Sequence, residues 1–312
     1  TTEDTSRQFI TDARGRALIL HGVNNNGGAK YDPLRVGWAQ EADVLRLSQD
    51  WGFNMVRLLV FWDAIEPWPG QYDEFYLDRV AERVEWCRRA GLWVVLDMHQ
   101  DLYALRYGGD GAPEWAIYDE GLPARPRTPW ELTYREPGVI ASIHNFWDYE
   151  GAHPELQDHF IGAFVHLAER FRGDPIILGY DLYNEPTLAT LETFVFERRY
   201  PHPFYQRLIN ALRQVDQERW IFFEPTALGA NQGFASQLGA LHDPRPGAPR
   251  LAYFPHIYTL DLDLKKRYLG NSALVQMWAS TRQRELRRFR SPLLIGEFGA
   301  ELLLEIFEEN PF

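Results

Sequence analysis

Ile176–Tyr183, IILGYDLY, runs directly into Asn184-Glu185-Pro186. The run is short, rich in branched and aromatic residues, and apolar on successive positions, which is the pattern of a strand buried on both faces. Upstream, Phe160, Phe164, Leu167 and Phe171 recur at helical spacing and end at Gly173. Downstream, Phe204, Leu208, Ala211 and Val215 do the same. A buried strand between two amphipathic helices is the repeating unit of a parallel sheet covered by helices.

The unit recurs in both directions. Strands are predicted at Ala17–Gly22, Asn54–Val60, Leu92–Met98, Ile176–Tyr183, Trp220–Phe223, Leu251–His256 and Leu293–Glu297. Between the second and third, Leu77, Val80, Val84 and Cys87 mark one buried helix face, and Gly52, Gly91 and Gly173 stand where helix C-termini need a left-handed residue. A doubly wound open sheet would carry a Gly-rich phosphate loop after an early strand, and none is present. The pattern and the length of 312 residues therefore predict an α/β fold, a (β/α)8 barrel forming a single domain over 1–312, with the eighth strand not identifiable.

Composition narrows the function. A net charge of −12 repels phosphate backbones and anionic bilayers, so nucleic acid is excluded as a partner and neutral ligands fit better. Cys87 is the sole cysteine and lies on the apolar stripe of a predicted helix, so it reads as a small buried hydrophobe. No apolar run reaches the ~18–20 residues that span a bilayer, so stable membrane insertion is not expected. The start TTEDTSRQ has no signal-peptide core, so any export signal is expected to be already removed or never present. The compartment stays open, with a secreted bacterial enzyme favoured over a cytoplasmic one. The aromatics, 11 Trp, 15 Tyr and 19 Phe, suit stacking on sugar or lipid and equally suit a large core.

One connection is abnormally long, from Gln100 to about Gly151, and it carries Tyr103, Tyr107, Trp115, Tyr118, Trp130, Tyr134, Phe146 and Trp147. Loops after strand C-termini build barrel active sites, so this loop is expected to cover or extend the site. Polar residues also gather where the strands end: Asn24 and Asn25, Arg57, then Asp97, His99 and Asp101, then Asn184 and Glu185, then His256 and Tyr258, then Glu297. Six strand ends thus converge on one face. Glycoside hydrolysis with retention needs two carboxyls ~5–5.5 Å apart across the scissile bond, one to attack and one to protonate the leaving oxygen, and Glu185 and Glu297 can meet that need. Arg57 would keep Glu297 ionised while Glu185 keeps its proton, Tyr258 would orient Glu297, and Asn184 would bond a 2-hydroxyl.

At this point the chain resembles the retaining glycosidases of glycoside hydrolase family five over nearly its whole length. The resemblance rests on Asn184-Glu185-Pro186, Gly296-Glu297-Phe298-Gly299 and Asn54-Met55-Val56-Arg57. It implies Glu185 as acid/base, Glu297 as nucleophile, and Arg57, Asn184, His99, His256 and Tyr258 at active-site positions. Leu96-Asp97-Met98-His99-Gln100-Asp101, with Ala29-Lys30, is most similar to the endoglycoceramidase-related branch. That branch implies a glycolipid or oligosaccharide substrate, Lys30 and Asp101 contacting sugar hydroxyls, and at most transient contact with lipid micelles or a membrane surface. Trp115 and Trp147 of the long loop are the expected aromatic substrate contacts. No cofactor and no metal are expected.

Rival readings are a cellulase or mannanase acting on polysaccharide, a metal-dependent barrel hydrolase using His99-x-Asp101 with His256, and a non-catalytic carbohydrate-binding barrel. The family's eighth strand, with a tryptophan that floors the sugar site, follows the nucleophile strand. Here only Glu301–Phe312 remain, and no Trp follows Glu297. The expectation is that the sequence is incomplete after about Ala300. The branch's usual β-sandwich also has no room.

Overall fold

The computed structural model describes residues 9–25, 27–188, 193–265, 269–270 and 272–299. The expectations for Glu301–Phe312 and the eighth strand lie outside these residues.

Six strands form one parallel sheet: β1 Gly22–Asn25, β2 Met55–Phe61, β3 Trp93–His99, β4 Ile177–Asp181, β5 Trp220–Phe223 and β6 Leu251–Tyr253. Their spatial order is their sequence order, β1-β2-β3-β4-β5-β6. Each strand therefore pairs with the next, which is barrel order rather than the reversal of a doubly wound sheet. The predicted second to fifth strands hold to within a few residues. The first is corrected: the ladder begins at Gly22, and Ala17 instead makes an antiparallel bridge with Thr11. The seventh is also corrected, since Leu293–Glu297 forms no ladder. It is tied to the sixth region by single parallel bridges, Tyr253 with Leu293 and Ile257 with Phe298. Backbone bonds from Leu294 N–H to Tyr253 O and from Ile257 N–H to Glu297 O keep it in line.

Alternation along the strands makes two cores and one site. Outward residues Val56, Leu58, Val60, Val94, Leu96, Ile221 and Phe223 pack under the helices. Inward residues Met55, Val95, Leu178, Trp220, Phe222, Ala252 and Phe254 fill the lower barrel. Two residues further on, the same inward face becomes polar: Arg57 above Met55, Asp97 and His99 above Val95, Glu224 above Phe222, His256 above Phe254. A side-chain period of two thus stacks a charged layer on an apolar floor.

Helices close the outside. Glu74–Ala90 starts at Asp73, whose carboxylate accepts the Tyr76 N–H, and stops at Gly91 with φ of 70°. Its buried residues include Leu77, Val80, Val84 and Cys87, as the spacing predicts. Pro201–Val215 buries Phe204, Tyr205, Leu208, Ile209 and Leu212. The long connection is not structureless. It holds short 3-10 turns and the helix Pro137–Trp147, whose Phe146 and Trp147 are buried. No helix among the described residues is long and apolar enough to cross a membrane.

Candidate active site

Arg57 stands at the centre of the polar layer, completely buried. Its Nε donates to Asp181 at 2.9 Å, and Nη2 donates to Glu224 at 2.9 Å and to the Asn184 side-chain oxygen at 3.0 Å. Asp97 lies 3.0 Å away and Glu297 3.4 Å. Burial alone would disfavour its charge, but the carboxylates of Asp97, Asp181, Glu224 and Glu297 outweigh burial and hold the guanidinium charged. With so many acids around one cation, burial and the neighbouring Glu224 push Asp181 well above the usual carboxylate range.

Glu297 receives three donors. Asn24 Nδ2 donates to Oε2 at 2.9 Å, Arg57 Nη1 to the same oxygen at 3.4 Å, and the Tyr258 hydroxyl to Oε1 at 2.6 Å. Burial works against ionisation, but the charges of His256 and Arg57 and the Tyr258 bond prevail and bring its carboxyl down to about 2. Gly296 precedes it because a Cβ there would sit 3.0 Å from the His256 ring and from Phe254 O.

Glu185 sits at φ of 46°, a left-handed backbone that a non-glycine residue adopts at a cost of ~1–3 kcal/mol and that concentrates at functional sites. Neighbours hold it there. Its N–H donates to Glu224 Oε2 at 2.8 Å, and Gln100 Nε2 donates to the carbonyls of Asn184 and Glu185 at 2.9 and 3.3 Å. The side chain accepts from Asn231 Nδ2 at 2.7 Å and meets His256 Nδ1 at 2.9 Å. Burial would keep His256 neutral, but Glu224, Glu185 and Glu297 outweigh it and raise the imidazole well above its ordinary value. Asn184 is fixed at both ends, accepting from Arg57 and donating to Gln100 O at 2.9 Å. Carboxylate oxygens of Glu185 and Glu297 and a His256 ring nitrogen lie within 4.8 Å of one another.

Beside this pair is a second polar cluster. His99 Nδ1 meets Asp97 at 2.7 Å, its Nε2 lies 3.5 Å from Asp101, and Lys30 Nζ donates to Asp101 at 2.5 Å. Burial and Lys30 oppose a charged His99, yet Asp97 and Asp101 raise it to about 9. Burial would lift Asp101, and Lys30 with His99 instead holds it low.

The structure thus brings together Glu297, Glu185, Asn184, Arg57, His256, Tyr258, His99, Lys30 and Asp101. It corrects Trp147, and it leaves Trp115 half-buried at the edge of the long loop. Trp147 is buried among Phe146, Tyr183, Phe196 and Phe204 with centroids 5.1–5.5 Å away, and its Nε1 donates to Thr187 O. Trp115 meets Trp62 and His159 edge-on and donates to Glu66 O. Trp147 is thereby enclosed in the core with its N–H used, whereas Trp115, half-buried, is tied to the barrel by edge-on contacts and its N–H. The metal reading required His99, Asp101 and His256 together. His99 and Asp101 instead group with Asp110, and His256 with Glu185 and Glu297. In the former group an ammonium is bonded to Asp101, so the cluster is an ion-pair network. Sequence reading missed Glu224, Asn231 and Asp110. Glu224 directly follows the buried run Trp220–Phe223 and was legible as a further strand-end acid, whereas no local pattern marks the other two.

The chain is similar to known proteins along most of its length. The family described as cellulase, glycosyl hydrolase family 5, matches residues 11–303. Endoglycoceramidase I of Rhodococcus hoagii is 34% identical over 284 residues, 86% of this chain and 55% of that protein. A glucosylceramidase of Rhizopus delemar is 28% identical over 58% of this chain and 35% of the relative. The chain therefore spans about a third to a half of these relatives. Among solved structures, endo-glycoceramidase II from Rhodococcus sp. in an iminocyclitol complex superposes with a TM-score of 0.90 at 41% identity, covering 96% of this chain and 70% of that one. The same enzyme as a lactosyl-enzyme intermediate gives 0.88 at 38% identity, covering 97% and 72%.

Proposed function

The chain belongs to glycosyl hydrolase family 5, in its endoglycoceramidase-related branch, and from that premise we propose that it is a retaining β-glycosidase acting on glycolipids. The observation that carries the chemistry is the approach of Glu185 and Glu297 to within 4.8 Å. An oxygen–oxygen approach of that size suits direct attack by a carboxylate better than the wider spacing of an inverting enzyme.

Glu297, held anionic, attacks the anomeric carbon as the bond to the leaving oxygen breaks. Glu185 donates its proton to that oxygen. The reaction then reverses its roles: Glu185 takes a proton from water, the resulting hydroxide attacks the anomeric carbon, and the ester to Glu297 breaks. Two inversions restore the β configuration. His256, whose Nδ1 lies 2.9 Å from Glu185, supports the carboxylate left after the first step.

A lipid aglycone is supported by what surrounds the acid/base. Leu228, Phe234, Leu260 and Phe298 are 42–72% exposed and lie close in sequence to Asn231, Tyr258 and Glu297. Apolar side chains left in water beside a reaction centre fit a hydrophobic leaving group. Polysaccharide chains would use an open polar groove instead. The lactosyl-enzyme relative supports a glycan on the other side.

The test is a panel of glucosylceramide, a longer glycosphingolipid, steryl glucoside and cellopentaose, with product configuration followed by NMR. Glycolipid turnover with a β product is expected, and cellopentaose cleavage without glycolipid turnover refutes the substrate class. Glu297→Gln and Glu185→Gln should each lose most turnover, since one acid/base group supplies ~10²–10⁴-fold. A Glu297→Gln enzyme retaining more than about a tenth of kcat sinks the assignment.

A further inference from the structure

Asp110 is an acid that the reaction described above does not use. It is 1% exposed, and its Oδ1 has no hydrogen-bond partner; neither has Nε2 of His99. One side-chain oxygen of Asp110, one of Asp101 and a ring nitrogen of His99 lie within 4.8 Å of one another. The chain is built to press the two acids together. Asp101 and Asp110 exchange backbone bonds, N–H to O at 3.2 Å and 2.9 Å. The residue between Gly108 and Asp110 is glycine because a Cβ at 109 would fall 1.8 Å from Asp101 O. At 111, φ is 118° and a Cβ would fall 2.5 Å from Gln100 Cβ. A close approach of two carboxyls, secured by glycines on each side, is costly unless one of them is neutral.

We propose that Asp110 is a positioning residue that works as a neutral acid: uncharged, it leaves the Lys30 ammonium to Asp101 alone and so fixes the Lys30–Asp101–His99 cluster that grips the sugar, and its ionisation sets an upper pH limit on substrate capture. This rests on the glycosidase reading for the sugar and on the cluster's geometry for the rest.

The groups facing Asp110 come from every element packed on it. Asp101 belongs to its own loop, His99 ends β3, Lys30 ends the 3-10 turn Gly27–Lys30, and Arg35 follows that turn. Asp63 approaches from the other side, its N–H bonded to Gly111 O at 2.7 Å, but it is paired to Arg35 at 2.7 Å. Burial, then Asp101, raises the Asp110 carboxyl to about 7, against the weaker pull of His99, Lys30 and Arg35. Above that pH a second carboxylate competes for Lys30, and the cluster carries one more negative charge.

The decisive variant is Asp110→Asn, neutral at every pH. A dinitrophenyl β-glucoside or β-lactoside needs no proton from Glu185 on departure, so the alkaline limb of its kcat/KM reports groups other than the acid/base. The wild type is expected to lose kcat/KM about tenfold per unit above pH ~7 through KM. Asp110→Asn should move that limb up by one unit or more and stay within about threefold of wild type at pH 5–6. A limb at the same pH in both proteins, no wild-type limb near 7, or a folded Asp110→Asn protein inactive at every pH overturns the proposal.

A readout independent of turnover separates this proposal from the glycosidase reading. A carboxyl raised from 3.8 to about 7 keeps a proton in the folded state that the unfolded chain has released. Its contribution to stability is therefore present below pH ~4 and lost as pH rises to 7. The wild-type Tm, relative to that of Asp110→Asn, should fall across pH 4–7 by about 3 °C or more. A constant difference refutes the neutral acid even if no glycoside is cleaved. A falling difference in a chain that cleaves nothing sinks the glycosidase reading and leaves the neutral acid standing.

Discussion

Replacing Tyr258 with Phe deletes one hydroxyl that donates to Glu297 Oε1 at 2.6 Å and leaves the ring in place. A hydrogen bond to a charged group contributes ~1.5–3 kcal/mol. One pKa unit corresponds to about 1.36 kcal/mol, so the loss converts to about one to two units. Asn24 and Arg57 still hold the other oxygen, and the charge of His256 remains. The Glu297 carboxyl, brought down to about 2 in the intact site, should therefore rise to about 3–4. In the proposed mechanism Glu297 attacks as a carboxylate, so activity is lost as pH falls through its pKa, and raising that pKa moves the acid limb upward. In the wild type the limb lies near the lower end of any usable pH range. In Tyr258→Phe it should enter the measurable window. The assay is kcat/KM for an aryl β-glycoside from pH 3 to 8, with circular dichroism at each pH to confirm folding. A folded variant whose acid limb stays below pH 3 refutes the claim that this hydroxyl stabilises the charged nucleophile.

Three more outcomes follow from the same contacts. Arg57→Met strands several buried carboxylates, so stability should drop by about 3–5 kcal/mol; a denaturant midpoint within error of wild type contradicts the central role of this cation. Trp147→Ala should cost ~3–5 kcal/mol as a core truncation and leave the KM of the folded fraction unchanged, whereas a tenfold KM increase with unaltered Tm would restore the ring as a substrate contact. Glu297 ionises more readily in the folded state than its ordinary 4.5, so its contribution is present above pH ~4.5 and lost as pH falls towards 2. Thermal melts of Glu297→Gln should accordingly decline less steeply than wild type between pH 5 and 2, and parallel curves would argue against that carboxylate being stabilised.

What the sequence disclosed, and what it hid, follows from how each feature is encoded. Strands β2 to β5 were legible because burial on both faces writes a continuous apolar run. β1 was misplaced because Gly22-Val-Asn-Asn is polar and partly exposed, so the apolar stretch before it, Ala17–His21, drew the assignment. The segment at Leu293–Glu297 reads as a strand by composition, yet its pairing is reduced to bridges, which depend on a neighbour and not on its own residues. Glu185 and Glu297 were legible from position at strand ends. The aromatic loop misled for a physical reason: Trp and Tyr serve a core and a sugar platform equally well, and only the ring's neighbours decide. Asp110 and Asn231 reach the site through tertiary folding of loops, with no periodicity to announce them.

The guanidinium of Arg57 also bears on how the chain folds. Its partners come from β3 (Asp97), β4 (Asp181), the residue after β5 (Glu224) and the nucleophile segment (Glu297), while Arg57 itself belongs to β2. A partly assembled sheet lacking any of these contributors would bury a cation with fewer counter-ions, or acids with no cation, and either arrangement is costly. The catalytic centre therefore penalises incomplete barrels. Strands that are local and separable in sequence are made to stand or fall together, and the charges proposed to perform the reaction also sharpen the cooperativity of the folding transition.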